Sequence, residues 1–236
     1  MVIARQEPGS IQGMVSVGLA STTLCALGAP LMRRMREKYP NIILNVVEGL
    51  SGHIGQMLRN MQLDLAILFS RDAAPDLPNE PLIEEDLFLM LPKESKLVPK
   101  HRKSVRCDEI AKLPLILPTG IHGLRIKIAH EFEQRNLQMN VVAEIDSLSL
   151  LMLCVKDGMG ATIKPMSATM MEDRMAKGLR YLPISDAKMQ RPSFLFTTKF
   201  ERLSPATLAV HDEIKETVNL LVNSNKWKGV QLLLSA

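Results

Sequence analysis

Two spacings of apolar residues take turns along the chain. In "GMVSVGL", Val15, Val17 and Leu19 repeat at every second position, which predicts a strand. Directly after it, Leu24, Leu27, Leu31 and Met35 recur at intervals of three and four, the stripe of an amphipathic helix, and Tyr39-Pro40-Asn41 ends that helix. "NIILNVVE" predicts a second strand, apolar on nearly both faces, and "LDLAILF" a third. Between them "SGHIGQMLRNM" predicts a helix that buries Ile54 and Leu58, with Ser51 as its cap. Strands too apolar to leave a face wet, alternating with helices, predict a parallel sheet covered on both sides.

The pattern then starts again. Residues 70–82, rich in Pro, Asp and Asn, read as a loop. "LIEEDLFLMLP" is one long strand or a strand pair, and "DEIAKLPLILP" a helical turn followed by a strand. After the break at Thr119-Gly120, Leu124, Ile128 and Phe132 form a helix stripe, and "MNVVAEI" is a strand. Ser147 can cap a helix holding Leu150, Leu151, Cys154 and Val155, with Gly158 as the left-handed residue at its end. "GATIKP", "GLRYLPI" and "RPSFLFTT" are extended, and Ser204-Pro205 starts a last helix carrying Leu208, Ile214, Val218 and Leu221. The stretch 84–184 thus repeats the alternation of the first, so two similar α/β lobes are expected, the last helix returning to the first.

Composition narrows the function. The 236 residues suit one large domain or two small lobes, and a hydrophobic content of 46% supports a core. With aromatics at 4%, that core must rest on Leu, Ile, Val and Met, so the fifteen Met read as packing residues. A formal charge of +4 with both signs mixed is much weaker than the basic stripe of a nucleic-acid binder. Cys25, Cys107 and Cys154 are too few and too scattered for a disulfide framework or a zinc site, and Cys25 and Cys154 read as small core residues. There is no apolar run long enough to span a membrane and no signal-peptide hydrophobic region, so a cytoplasmic setting is expected.

Enzyme signatures are missing. No dinucleotide fingerprint, phosphate loop or nucleophile elbow occurs, and His53, His101, His122, His130 and His211 never fall at metal-ligand spacing. No catalytic residue, metal or cofactor is therefore expected. Glu84-Glu85-Asp86 could be an acid/base pair, but a solvated hinge or loop edge is the simpler reading, and Asp64 could be a ligand contact but reads more simply as capping or ordering the turn from the preceding helix. Ligands in open α/β sheets gather beyond the carboxyl ends of strands. Ser21, Thr22 and Thr23 stand at such an end, where unpaired helix amides favour an anion. Thr119-Gly120 holds the same place in the second lobe, and Ser147 and Ser149 open a later helix. Each of these residues could equally be an ordinary cap. Arg125 and Lys164 could add positive charge if they point inward, and are surface residues if they do not.

The chain resembles the effector-binding domain of LysR-type bacterial transcriptional regulators. "GSIQGMVSVGLASTT", "APLMRRMREKYPNIILNVVEG", "GHIGQMLRNMQLDLAILF", "LPLILPTGIHGLR" and "LMLCVKDGMGATIKP" carry the resemblance, which spans about residues 13–223. "EGLSGHIGQML" leans toward the nitrogen-assimilation-control branch. The resemblance implies two Rossmann-like lobes joined by crossing strands, in the manner of type 2 periplasmic binding proteins. Residues 13–83 and 190–223 would form lobe I and 84–189 lobe II, with 1–12 a linker remnant and 224–236 a C-terminal tail. It also implies a small effector, an anion or organic acid, bound between the lobes; a homodimer, tetrameric at full length; and DNA contact only through a domain missing from a truncated chain. Ser21 and Thr22 match the family's first effector loop, Thr119 with Gly120 the second-lobe position, and Ser147 and Phe196 fall near further pocket positions. Gly158 and Gly160 match a structural G-x-G turn. One departure is Met61, where the family usually has glycine. The alternative, a periplasmic-type solute-binding protein or a small two-lobed enzyme, lacks an export signal on one side and an acid–base constellation on the other.

Overall fold

A computed structural model describes residues 10–170, 177–198 and 203–233. Residues 1–9 of the expected linker remnant and 234–236 of the expected tail lie outside the described residues. In chain order the elements are β1 (Gly13–Leu19), α1 (Ser21–Lys38), β2 (Ile42–Glu48), α2 (Ser51–Arg59), β3 (Leu65–Leu68), β4 (Asn79–Pro92), α3 (Cys107–Ile110), β5 (Leu115–Leu117), α4 (Gly123–Glu133) and β6 (Val141–Glu144). There follow α5 (Leu148–Lys156), β7 (Thr162–Pro165), β8 (Leu179–Pro183), β9 (Gln190–Thr197), α6 (Pro205–Asn223) and β10 (Val230–Leu232). The chain divides into two compact units, Met1–Glu84 with Pro192–Ala236, and Glu85–Arg191. The strands β4 and β9 run from one unit into the other.

In the first unit β1 lies between β2 and β3, parallel to both, with Val17 opposite Val46 and Leu65. The strand β9 adds antiparallel to β3. Val15, Val17 and Leu19 are fully buried, as are Leu27 and Leu31 of α1 and Ile214 and Val218 of α6. The helices α1 and α6 pack together, and Glu213 of α6, 2% exposed, takes Arg34 and Lys38 of α1 as partners. The predicted return of the last helix to the first half is therefore observed. In the second unit β4 pairs antiparallel with β7 and β8, while β5 pairs parallel with β6 and bridges to Ala161 ahead of β7. Its core joins Leu87, Leu89 and Leu91 of β4 to Ile128 and Phe132 of α4 and Ile163 of β7.

Several expectations change. The strand β2 is a sheet edge with only Ile42 buried, and Ile43 is 67% exposed, so its apolar composition does not mean two dry faces. Ser51 is the first residue of α2, not its cap; that position is Leu50, and no side chain caps it. On α5 the buried residues are Leu151, Met152 and Val155, whereas Leu150 is half exposed and Cys154 partly so. Glu84-Glu85-Asp86 is not a solvated loop edge but the middle of the long strand β4, where alternation buries Glu85. The last residues are more than a tail: Trp227 is buried, and β10 pairs with β4.

Four helices close on themselves. After α2, the amides of Met61 and Gln62 donate back to Leu58 and Met57, and α4, α5 and α6 end the same way at Asn136, Gly158 and Asn225. This is the Schellman pattern, which needs a left-handed residue. Gly158 has φ +81°, and the asparagines tolerate the region, but Met61 enters it too, at φ 56°. The bend that glycine usually makes is thus kept, with a side chain in a costly conformation. Gly160 has no positive φ; a Cβ there would stand 2.8 Å from the Pro114 carbonyl oxygen, so glycine is needed for close approach.

Met61→Gly should stabilise the protein by about 1 kcal/mol, because the left-handed penalty of a non-glycine residue is removed. Urea unfolding at constant slope measures it. The same method separates two glycines of α2. A Cβ at Gly55 would lie 2.7 Å from the Ala73 carbonyl oxygen, whereas Gly52 has open space. Gly55→Ala should cost ~1–3 kcal/mol and Gly52→Ala nothing or less.

Candidate functional site

Each unit presents polar groups where helices begin after strands. In the first unit β1 ends at Leu19, and α1 starts after Ala20, whose methyl group cannot cap it. No side chain caps this end, so the first-turn amides lack the usual capping acceptor. Ser21 is half-buried, and Thr22 and Thr23 are buried. The capping explanation of Ser21–Thr23 is thereby removed, since all three stand inside the helix. Phe196, by contrast, is fully buried in the core beside Ile54, Leu58 and Leu63. Its side chain has no surface to offer a ligand in this structure.

In the second unit the loop after β5 meets the turn before α5. The Thr119 amide donates to Asp146 Oδ1 at 3.0 Å, and its hydroxyl to the same carboxylate at 2.9 and 3.0 Å. These bonds, the backbone one foremost, hold Asp146 below its ordinary pKa. The Thr119 hydroxyl proton is thus spent on Asp146. Gly120 is exposed with no heavy atom within 4 Å of where a Cβ would stand. Ser147 is exposed and caps α5, its hydroxyl accepting from the Leu150 amide at 3.4 Å. That leaves its own O–H free to donate.

Two further residues join this set. His122 caps α4 with its ring: Nδ1 accepts from the Leu124 amide at 3.2 Å. The proton therefore sits on Nε2, a neutral donor. Burial, then the charges of Lys164 and Arg191, lower its pKa to about 4. Lys164, on β7 opposite Phe88, is only 4% exposed. Among the described residues no hydrogen bond or ion pair holds its amine. Burial and the nearby Arg191 guanidinium depress it from 10.5 to about 7, against a smaller pull from Asp146. Arg191 is itself buried and paired with Glu85 of β4, whose other oxygen accepts from Ser167 at 2.8 Å. Arg125, the other cation considered, faces elsewhere: its NH1 reaches Met139 Sδ at 4.0 Å. His122 carries no sequence signal beyond its place before a helix. Lys164 carried one, a lysine inside an otherwise apolar strand.

In the second unit, donors thus stand at the starts of α4 and α5, and among the described residues the buried Lys164 amine has no ion-pair partner. Among the described residues no group of His, Cys, Asp and Glu could hold a metal. The family model for the LysR substrate-binding domain matches residues 8–219. The chain belongs to the LysR family of effector-binding domains. It is 30% identical over 160 residues to the nitrogen assimilation regulatory protein nac of Klebsiella aerogenes, which covers 67% of this chain and 51% of that protein. It thus spans about half the length of the curated relatives it matches first. Its fold superposes on the effector-binding domain of QuiR in complex with shikimate, at a TM-score of 0.76 and 21% identity, over 89% of this chain and 99% of that one. It also superposes on the CcmR regulatory domain of Synechocystis in complex with 2-PG, at 0.78 and 18%, over 88% and 98%. No described helix is long and apolar enough to cross a membrane.

The buried amine sets a pH dependence of stability. Lys164 has a folded pKa near 7 and an ordinary value of 10.5, so between these the unfolded chain binds the extra proton. Stability gained from its deprotonation rises with pH through that window, by up to about 1.4 kcal/mol per pH unit, and below it the full penalty is present. Lys164→Met should therefore stabilise the chain most at pH 6, with the difference shrinking toward pH 10. Denaturant unfolding of both proteins across that range tests it, and a constant difference would refute a buried, shifted amine.

Proposed function

We propose that this domain is the sensory part of a bacterial transcription regulator that binds a small anionic effector. The observation that carries the reading is the start of α1, where no side chain caps the helix and Ser21, half-buried, stands at its first position just beyond the carboxyl end of β1. In the second unit Gly120, Ser147 and the ring of His122 form the matching set, with Thr119 fixing the loop through Asp146. The acid ligands of the QuiR and CcmR domains support an organic acid or phosphate as the ligand class. Promoter control would pass through a DNA-binding domain of the whole regulator. Self-association as a homodimer, and as a tetramer of the whole regulator, is supported by the exposed apolar pair Met14 and Ile43, side by side at the β2 edge. A cytoplasmic setting goes with this role. Two of the three thiols do not suit a redox sensor: burial raises Cys25 to about 11 and Cys107 to about 12, away from the reactive thiolate.

A thermal-shift screen of small carboxylates and phosphates, followed by calorimetry, tests the proposal. One compound should bind once per chain, and Ser21→Ala should weaken it about five- to tenfold while leaving the melting temperature nearly unchanged. Absence of any stoichiometric binder, or full affinity in Ser21→Ala, would count against it.

A further inference from the structure

We propose that Lys164 anchors the acidic group of the effector, a carboxylate or phosphate, and that the anion enters together with a proton on that amine. This rests on the effector-binding reading above and names the chemistry of its charged end. Lys164 is more than nine-tenths buried, yet among the described residues no partner holds it. Its Nζ is not among the sealed polar atoms, unlike Thr162 Oγ1 on the same strand, so the little surface that Lys164 exposes includes the amine.

Two charged groups act on it from neighbouring elements, and a third group shares their field. Arg191 of β9 repels it and is itself paired with Glu85 of β4. Asp146, before α5, attracts it from beyond ion-pair distance while bonded to Thr119. His122, at the start of α4, shares the same field and is neutral. A desolvated amine near a fixed cation and an engaged carboxylate takes up its proton more readily when a new anion arrives. His122, the cap of α4, and Asp146, just before α5, interact with it electrostatically, and the helix starts beside these residues carry amide dipoles of the right sign. Binding and protonation therefore favour one another, as linkage requires.

Sulfate is the probe, because it carries no proton to exchange near neutrality. The full chain is titrated with sodium sulfate against sodium chloride at matched ionic strength, following the amide shifts of Gly120, His122 and Ser147. In the wild type these shifts should saturate, and the apparent affinity should fall about tenfold per pH unit above 7 as the proton becomes harder to supply. Lys164→Met should fold and lose the saturable response by tenfold or more, while Lys156→Met, at the exposed far end of α5, should keep it. Lysine 13Cε shifts should show the Lys164 titration moving upward by more than one pH unit in saturating sulfate. No saturable sulfate response, an equal response in Lys164→Met, or a pH-independent affinity would each overturn the proposal. In any of those cases a compound from the effector screen that still binds once per chain leaves the sensory reading standing.

Discussion

The strand β4 and the carboxylate buried in it organise both halves of the molecule. Its 14 residues pair with β7 and β8 in the second unit and with β9 and β10 in the first sheet. At its middle Glu85 is 1% exposed, and Arg191 and Ser167 meet its two oxygens. Such a pair adds little net stability over an apolar one, but removing either partner strands a charge and costs about 3–5 kcal/mol. The pairing fixes register. Glu84 and Asp86, one residue to either side, turn to Gln231 and Gln190, so a slip by one position would put a carboxylate into the core and an apolar side chain on the surface.

A consequence reaches the site. With the Arg191 side chain held by Glu85, a guanidinium is fixed near Lys164 and His122, and its field acts in the same direction on both. Each is pushed toward its neutral form, one as an amine, the other as an imidazole whose Nδ1 is already committed to the start of α4. Lys164, a full cation in water, is thus only partly charged near neutral pH, and His122 is neutral there. The opposite holds for Asp146, where the Thr119 amide and hydroxyl stabilise the charged form. The site is preorganised by these second partners, since the residues that would touch a ligand are oriented by groups that would not.

Much of this fold is legible in the residues because the apolar periods are strong. Val15-Val17-Leu19, Leu24-Leu27-Leu31-Met35 and Leu124-Ile128-Phe132 each place a stripe, and all of these residues are buried in the structure except Leu24, which is partly so. What the periods do not carry is the position of a strand in its sheet. "NIILNVVE" reads as dry on both sides, yet it is an edge, because composition says what a face can bury and not whether anything covers it. The site divides in the same way. Ser21 and Thr119 could be placed from local order at strand ends. The bond that turns Thr119 toward Asp146, 27 residues away, could not, nor could the pairing of Glu85 with Arg191 across 106 residues. Lys164 lay between these cases: a lysine among Ala161, Ile163 and Pro165 invites a question about burial, and only the packing answers it.

Helix ends show where the remaining hydrogen-bonding capacity collects. The carboxyl ends of α2, α4, α5 and α6 are closed by the chain itself, even where Met61 must take a left-handed backbone to do it. The amino ends differ. α6 is capped by Ser204, α5 by Ser147 and α4 by an imidazole, while α1 and α2 follow Ala20 and Leu50, which have no side-chain acceptor at all. Ala20 comes directly after β1, and Leu50 follows β2 with one residue between. Donors at such positions are left without a side-chain acceptor of their own, and a helix start left so is an anion site by its own dipole. A chain that closes these four carboxyl ends, at a cost in one case, and leaves both of these amino ends uncapped is therefore biased toward negatively charged oxygen as the missing partner.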